Sequence, residues 1–279
     1  MVQTIGFIGV GQIGGGVAKL AVNAGYDVVL SNSRGPESLA DVVNDLGPKS
    51  DSKTFKEIAN DENIDIVVLS IPLKAIEDLL PSSGLKNKLI LDTTNYYADR
   101  DGNVAVLDNK KLLTSEYVAK FLDKSNKLVK VFNNIGAIHL RSAATKDPNS
   151  QTTLPIAGDD SNAKDQTTNF LNNIGYQALD VGKLEDSWKF EPNTPAYGWP
   201  YIPKVPKDLN EEDQKKYYIT HVAEPVSKDQ LKKIIDSVSF EDHKPSGSFD
   251  DYPKFVGDAL VEMYREAEKI KAANSSIVF

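Results

Sequence analysis

The sequence predicts an α/β fold in which helices cover both faces of a doubly wound, mostly parallel sheet. Three observations support this prediction. Nearly continuous apolar runs such as residues 5–8 and 64–71 recur along the chain, and such runs are typical of parallel strands buried on both faces. Amphipathic helical segments separate these runs, as in βαβ units. A glycine motif stands where the first run turns into the first helix.

That motif places Gly9, Gly11 and Gly14 in a G-x-G-x-x-G pattern, and a second β-rich run follows at residues 26–30. In this strand–helix–strand frame the motif favours a dinucleotide site. Gly9 permits the tight turn, Gly11 lets the backbone approach a pyrophosphate, and Gly14 lets the helix pack closely on the strand. The helix N-terminus offers free N–H groups to the phosphates. The alternative is a glycine-rich turn that binds no ligand.

The end of the second strand indicates which dinucleotide would bind. An NAD site usually has an acidic residue there to hold the ribose 2′-hydroxyl, whereas this chain has Ser31, Asn32, Ser33 and Arg34. A guanidinium presents a planar fork of donors that suits a 2′-phosphate. The segment therefore predicts NADP(H). The alternative, a solvated arginine after a strand, leaves the missing acid unexplained.

Composition excludes several classes of function. The 279 residues include 40 acidic and 32 basic side chains, a net charge of −8, which argues against a general nucleic-acid surface. There are no cysteines, so disulfides, thiolate metal sites and cysteine nucleophiles are excluded. The N-terminus lacks the pattern of a signal peptide, and no apolar run is long enough for a membrane span. We expect a cytoplasmic protein with a small-molecule substrate and with no metal, membrane or nucleic-acid partner.

The remaining elements follow from periodicity and from Gly and Pro stops. Further strands are predicted at residues 88–92, 128–132, 153–157 and 176–180, and helices at residues 38–46, 73–80, 115–122 and 161–174. Asp159 and Asp160 precede the last of these helices, where a cap explains them better than a metal site. We expect a Rossmann-type dinucleotide-binding domain at residues 1–135, an extension at 136–198, and a polar helical part at 199–279.

In a doubly wound sheet, ligands lie beyond the carboxyl ends of the strands. Ser70, Ile71 and Pro72 end one strand and are predicted to wall the cofactor, although Pro72 alone could be only a helix starter. The loop after residues 88–92 carries Asn95 and Tyr97. It either meets cofactor and substrate or is a surface loop whose tyrosines pack against neighbours.

The end of the strand at residues 128–132 carries Asn133, Asn134, Ala137 and His139. The two carboxamides either bond a nicotinamide amide or a substrate carbonyl, or cap the next helix. His139 is a candidate proton donor because its ordinary pKa suits that role, or else a structural histidine.

Residues 182–206 mix aromatic residues and prolines, including Trp188 and Tyr197, and predict a rigid irregular loop. This loop either closes the nicotinamide pocket or seals a core edge or a dimer contact. The amphipathic helices predicted after residue 206 must pack on the main body or on a second subunit, so a homodimer is one expectation.

Several motifs together resemble the coenzyme F-420 (deazaflavin)-dependent NADP reductase family, which is related to the N-terminal domains of pyrroline-5-carboxylate reductases and imine reductases. The resemblance covers roughly the first 198 residues, through GFIGVGQIGGGVA, VVLSNSRGP, VVLSIP, LILDTTN, LPIAGDD and SWKFEPNTPAYG. It implies that the pyrophosphate binds at Val10, Gly11, Gln12 and Ile13, and the 2′-phosphate at Asn32, Ser33 and Arg34. It also implies that residues 70–72 lie along the cofactor and residues 133–137 near the nicotinamide.

These observations predict an NADP(H)-dependent oxidoreductase that transfers a hydride between the nicotinamide and a small organic or flavin-like acceptor. Reduction of a carbonyl or imine requires a proton source, and Tyr97, His139 and Tyr197 are the candidates. The alternative is a non-catalytic NADPH-binding regulator with a sealed nicotinamide pocket.

Overall fold

The computed structural model of the chain describes residues 3–275. Its strands form one eight-stranded sheet in the order β3-β2-β1-β4-β5-β6-β7-β8. The strands are β1 (Thr4–Ile8), β2 (Asp27–Ser31), β3 (Ser50–Ser52), β4 (Ile64–Leu69), β5 (Leu89–Asp92), β6 (Lys127–Lys130), β7 (Thr153–Gly158) and β8 (Gln177–Gly182). All neighbours are parallel except β6 and β7. The predicted doubly wound, mostly parallel sheet is confirmed.

The helices alternate with the strands in the first half of the chain and dominate the last third. They are α1 (Gln12–Asn23), α2 (Ala40–Leu46), α3 (Phe55–Asn60), α4 (Ile76–Leu79), α5 (Ala98–Asp101), α6 (Ala105–Asp108), α7 (Thr114–Lys120), α8 (Ala137–Leu140), α9 (Ser161–Ile174), α10 (Glu211–Thr220), α11 (Lys228–Asp236) and α12 (Lys254–Ser275). Short 3₁₀ helices lie at Pro36–Leu39, Leu73–Ala75, Leu184–Phe190, Trp199–Tyr201 and Phe249–Asp251. Within residues 3–275, none of these helices combines the length and apolar character of a membrane span.

The sheet is buried on both faces, which is why its central strands are apolar throughout. Side chains alternate along β4: Ile66 and Val68 join the core cluster that includes α1, while Val67 and Leu69 join the cluster on the opposite face. Each of these four side chains is at most 2% exposed. A strand with water on one face would alternate apolar and polar residues instead.

Most predicted boundaries differ from the structure by a few residues, and the conformation at Phe132 and at Pro72 explains two of these differences. The sixth strand ends at Lys130 rather than at Phe132, because Phe132 adopts a positive φ of 62° that no strand accommodates. Pro72 caps the 3₁₀ turn that follows β4 instead of being its first helical residue. The loop after β5 also folds into two short helices, α5 and α6, which the sequence did not indicate.

The cap interpretation is confirmed for Asp160, whereas Asp159 bonds a distant segment instead of the helix that follows. The Asp160 carboxylate accepts a hydrogen bond from the Ala163 N–H at 2.8 Å and so begins α9. The Asp159 carboxylate accepts from the Leu184 N–H at 3.0 Å. Helix α9 ends at Gly175, whose φ of 104° is the left-handed conformation common after helices.

The last helices pack on the body of the protein through a small apolar cluster. Tyr218 of α10 and Val256 and Ala259 of α12 are buried in it, and Ile138 of α8 packs against them. Residues of α11 instead join the main core beside β7 and β8, where Leu231 is fully buried. Helices α10 and α12 therefore lie next to the short helix that follows β6.

Candidate active site

A cleft of about 1220 Å³, counted with its open mouth, lies beyond the carboxyl ends of β1, β4, β5 and β6. The strand order changes direction between β1 and β4, so this is the edge where an open α/β sheet binds ligands. Sequence-predicted residues that line the cleft are Gly11, Gln12, Ile13, Ser70, Ile71, Pro72, Asn95, Tyr97, Asn133, Asn134, Ala137, His139 and Tyr197.

The turn from β1 into α1 gives each motif glycine a different environment. A Cβ on Gly9 would overlap the Ser70 carbonyl, and Gly9 also has a φ of 91°. A Cβ on Gly14 would overlap the Gly9 carbonyl. A Cβ on Gly11 would meet no atom within 4 Å. Gly9 and Gly14 thus allow close packing, whereas Gly11 leaves space in the cleft for a ligand.

The N-terminus of α1 faces this space without a competing side chain. Its N-cap is Gly11, and its first turn contains no acidic residue. Gln12 and Ile13 line the cleft, whereas Val10 packs against the core. Backbone N–H groups and the positive end of the helix dipole can therefore act on an anion here.

The end of β2 separates into a buried part and an exposed part. Ser31 is 1% exposed; its hydroxyl donates to the Phe7 carbonyl at 3.1 Å and its own carbonyl accepts from Gly9. Ser31 therefore holds the glycine turn and is not open to a ligand, contrary to the prediction. The Asn32 carboxamide oxygen accepts from the Arg34 N–H at 2.9 Å and fixes a turn.

Ser33 and Arg34 are exposed beyond this turn. Neither they nor Asn32 line the cleft itself, which begins at Gly11. Within the described part of the chain, the Arg34 guanidinium makes no hydrogen bond or ion pair. Its donors are thus available to an anionic group that reaches past the glycine turn.

Two asparagines after β6 orient their amides in the same way. The Asn133 Nδ2 donates to the Phe190 carbonyl at 3.0 Å, and the Asn134 Nδ2 donates to the Ala196 carbonyl at 3.0 Å. Because a carbonyl oxygen must face the nitrogen, these contacts fix which way each amide points. Both Oδ1 atoms are buried and have no partner among the described residues. Each of these two cleft-lining residues therefore has a bonded amide nitrogen and an oxygen that no described donor satisfies, and neither caps α8, whose N-cap is Gly136.

The backbone just before these asparagines is strained, and buried side chains hold it in place. Phe132 is fully buried with a φ of 62°, a conformation that costs free energy and is often found at functional sites. Below it, the fully buried Lys130 pairs with Asp92 at 3.4 Å and donates to the Thr94 carbonyl. Lys130 thereby connects β6 to the loop after β5 on the cleft wall.

Tyr97 and Tyr197 bring their hydroxyls into hydrogen-bond contact at the cleft wall. Asn95 donates to the Tyr197 hydroxyl at 3.1 Å and to the Asn133 carbonyl at 2.8 Å. Arg100 lies over the Tyr97 ring, 4.9 Å from its centroid, and pairs with Asp101 at 2.8 Å. This polar network joins the loop after β5 to residues near position 197.

His139 lines the cleft but is used within the protein. It is 2% exposed, and burial lowers the pKa of its imidazole, so the ring is neutral at neutral pH. Its Nε2 lies 2.7 Å from the Tyr218 carbonyl and must donate to it. Since this proton is held by a backbone acceptor, the geometry favours a structural role for His139 over a role as proton donor.

Trp188 lies outside the cleft, contrary to its prediction as a substrate-side residue. Its ring packs edge-on against Phe240 at 5.2 Å between centroids and near His243 at 5.7 Å. It belongs to the 3₁₀ helix Leu184–Phe190 and is not among the residues that line the cleft. The aromatic loop therefore divides, with Trp188 covering a core edge and Tyr197 facing the cleft.

The sequence missed the wall of the cleft opposite the sheet. Its residues come from the C-terminal part and its approach, namely Gly198, Tyr201, Ile202, Tyr218, Ser248, Tyr252, Val256 and Leu260. The signals in the sequence were the aromatic loop at residues 182–206 and the apolar faces of the helices predicted after residue 206. An apolar helix face predicts burial, but it does not say which surface covers it.

Known proteins share the β1–α1 turn and its surroundings. Residues 4–96 match the family described as NADP oxidoreductase, coenzyme F420-dependent. This match confirms the resemblance predicted from the motifs, although it ends well before residue 198. It also shows that the chain has the fold of NAD(P)-dependent oxidoreductases.

Solved structures show the same fold. A hypothetical protein from Sinorhizobium meliloti is 24% identical with a TM-score of 0.58, over 67% of this chain and 88% of that protein. A candidate F420-dependent NADP reductase from Arthrobacter sp. FB24 is 19% identical with a TM-score of 0.54, over 66% of this chain and 86% of that protein. No curated protein matches this chain significantly in sequence.

Proposed function

We propose that the protein is an NADP(H)-dependent oxidoreductase that transfers a hydride between the nicotinamide and a small organic or flavin-like acceptor. The observation that carries this proposal is the pair of buried, unpartnered Oδ1 atoms of Asn133 and Asn134, two residues that line the cleft. A buried acceptor without a donor costs free energy, and a nicotinamide carboxamide brings an NH₂ donor group. The two carboxamides accept and do not donate to a substrate carbonyl.

The remaining cofactor contacts follow from the chain's own groups. The α1 N-terminus would bind the pyrophosphate above Gly11, where no Cβ blocks its approach. The exposed Arg34 guanidinium would bind the 2′-phosphate with Asn32 and Ser33, in a segment that lacks the acid of an NAD site. When bound, NADPH supplies the hydride, and the protein supplies position and electrostatics.

The shape of the cleft favours catalysis over the regulatory alternative. A non-catalytic binder would have a sealed nicotinamide pocket. Here the cleft continues past Asn133 and Ala137 to Tyr218, Val256 and Leu260 of the C-terminal helices. This continuation leaves room for an acceptor beside the residues assigned to the nicotinamide.

Oxidation of NADPH by the purified full chain tests the proposal. Absorbance at the reduced-nicotinamide band would be followed with uncharged aldehydes, ketones, cyclic imines, quinones, FMN and a deazaflavin. We expect NADPH to bind and at least one class to be reduced above the enzyme-free rate. NADPH binding with background oxidation in every class would instead support the regulatory alternative.

A further inference from the structure

We propose that Tyr218 is the proton donor of the site and that the acceptor is a small, uncharged carbonyl compound. This inference deepens the proposed function and rests on it. In such a reaction the hydroxyl of Tyr218 would donate its proton to the carbonyl oxygen as the adjacent carbon receives the hydride.

The position of the Tyr218 hydroxyl supports this role. Tyr218 lies on α10 and lines the cleft. Its hydroxyl oxygen is 3.6 Å from the point that a Cβ on Gly136 would occupy. Gly136 follows the two asparagines whose Oδ1 atoms are assigned to the nicotinamide. The hydroxyl therefore stands at the same end of the cleft as the proposed hydride source.

Tyr218 differs from the other tyrosines that line the cleft in the hydrogen bonding of its hydroxyl. Tyr201 donates to the Thr153 carbonyl at 3.0 Å, and Tyr252 donates to the Tyr197 carbonyl at 3.1 Å. The hydroxyls of Tyr97 and Tyr197 bond each other. Among the residues whose side chains the structure describes, the Tyr218 hydroxyl has no acceptor for its proton.

The chemistry of a phenol suits the step. Burial raises the pKa of Tyr218 to about 12, so the hydroxyl retains its proton at neutral pH. An alkoxide is a much stronger base than a phenolate, so proton transfer to the developing alkoxide is favourable. The Thr94 hydroxyl is also buried without a partner, but an aliphatic hydroxyl is too weak an acid and could only position the substrate.

The lining indicates what kind of carbonyl compound fits. Ile202, Val256 and Leu260 supply apolar surface beside Tyr218. Arg100 is the charged side chain among the described lining residues, and Asp101 already neutralises it at 2.8 Å. A carboxylate or phosphate on the substrate would thus find no unpaired cation in this part of the cleft. An uncharged, largely apolar aldehyde or ketone is the best match.

The atoms and electrons balance with NADPH and one proton from the solvent. The carbonyl carbon gains the hydride that NADPH supplies, and the carbon–oxygen π bond becomes a lone pair on oxygen. The oxygen takes the Tyr218 proton and becomes an alcohol. Water at the open mouth of the cleft returns a proton to the phenolate. The carbonyl compound is reduced, and NADPH is oxidised to NADP⁺.

The test compares Tyr218→Phe with Tyr217→Phe in the full chain. Tyr217 is on the same helix but stacks on His221 and does not line the cleft. We expect Tyr218→Phe to lower kcat for benzaldehyde or cyclohexanone by about 100-fold or more, the usual size of a general-acid effect. Thermal melting and the Kd for NADPH should stay close to those of wild type, and Tyr217→Phe should behave as wild type throughout.

A second readout does not depend on turnover. Cyclohexanecarboxamide carries a carbonyl that a hydride does not reduce, and calorimetry can measure its binding to the protein with NADPH present. Because one hydrogen bond to its oxygen is lost, we expect Tyr218→Phe to weaken this binding about fivefold. Tyr217→Phe should leave it unchanged.

Several results would overturn the inference. Tyr218→Phe could retain wild-type kcat with carbonyl compounds, or Tyr97→Phe alone could abolish their reduction. The wild type could also reduce quinones or flavins but no carbonyl compound, which would leave the proposed function intact and remove only this inference. If no acceptor of any class oxidises NADPH, the proposed function fails and the role of Tyr218 fails with it.

Discussion

Arg34 is an exposed guanidinium next to a turn that Asn32 fixes, and it decides the predicted choice of cofactor. We expect Arg34→Ala to weaken NADPH binding by about 10- to 100-fold, the worth of charge-assisted hydrogen bonds to a phosphate. NADH, which lacks the 2′-phosphate, should bind as before. Fluorescence titration of both nucleotides measures the ratio.

Lys124→Ala is the matched control for Arg34, because it removes one exposed positive charge in the turn before β6, at the sheet edge opposite the cleft. It should leave both affinities unchanged. An unchanged NADPH/NADH affinity ratio in Arg34→Ala would show that the 2′-phosphate assignment is wrong.

Single residues show how far sequence reasoning could go. The pattern placed Asn133 and Asn134 at the cleft but left their role open, because the carbonyl oxygens that accept from their amide nitrogens belong to Phe190 and Ala196, far along the chain. Ser31 was expected to meet the cofactor, yet the last residue of β2 points inward and bonds Phe7. Which way a strand's final side chain points depends on register, and the motif does not specify register.

At the scale of elements, the β1–α1 junction depends on Gly14 because a Cβ there would strike the Gly9 backbone. We expect Gly14→Ala to lower the free energy of unfolding by about 1–3 kcal/mol, as overpacking does, and to weaken NADPH binding.

At Gly15, a Cβ would meet only Val10 at 3.7 Å. Gly15→Ala should therefore stabilise α1 by up to about 1 kcal/mol. Urea unfolding of both variants measures the difference, and equal effects would contradict the packing argument.

The elements of the first half followed from the sequence because their patterns are local. Apolar runs, the glycine turn and the Asp160 cap each lie within a few residues of the element they define. The end of β6 did not follow, since no local feature marks Phe132 for a positive φ. That conformation is held by tertiary packing, as its complete burial shows.

At the scale of the whole molecule, His243 couples the C-terminal part to pH. It is 4% exposed, its Nε2 lies 3.7 Å from a Glu191 carboxylate oxygen, and burial lowers its pKa to about 4. The unfolded chain therefore binds a proton that the folded chain excludes as the pH falls from about 6.5 towards 4. Stability due to neutral His243 is complete above about pH 6.5 and decreases below it.

We expect the wild type to lose about 2 kcal/mol more free energy of unfolding than His243→Gln between pH 7 and pH 5. Burial raises the pKa of Glu191, which acts in the opposite direction in both proteins. The comparison therefore measures the effect of the histidine together with its contact to Glu191. The control His221→Gln changes an exposed histidine. Its free energy of unfolding should fall between pH 7 and pH 5 by as much as that of the wild type. An equal fall in the free energy of unfolding for wild type and His243→Gln between pH 7 and pH 5 would contradict the role given to His243.

The whole molecule also shows where sequence reasoning stops. Helices α10 and α12 were predicted from their amphipathic faces, but their contact with Ile138 joins segments that are distant in the chain. The far wall of the cleft, including Tyr218 and Leu260, was missed for that reason. Periodicity identifies a surface that needs a partner and does not identify the partner.

The two walls of the cleft come from separate stretches of the chain. One is formed by residues 11–13, 70–72, 93–100 and 133–139, and the other by residues of the segment 197–260. Substitutions in the second stretch can change the shape offered to an acceptor without altering the glycine turn. Under the proposed function, selection could therefore change the acceptor while the residues proposed to bind the dinucleotide stay the same. Directed evolution of activity towards new substrates should start with substitutions in α10 and α12.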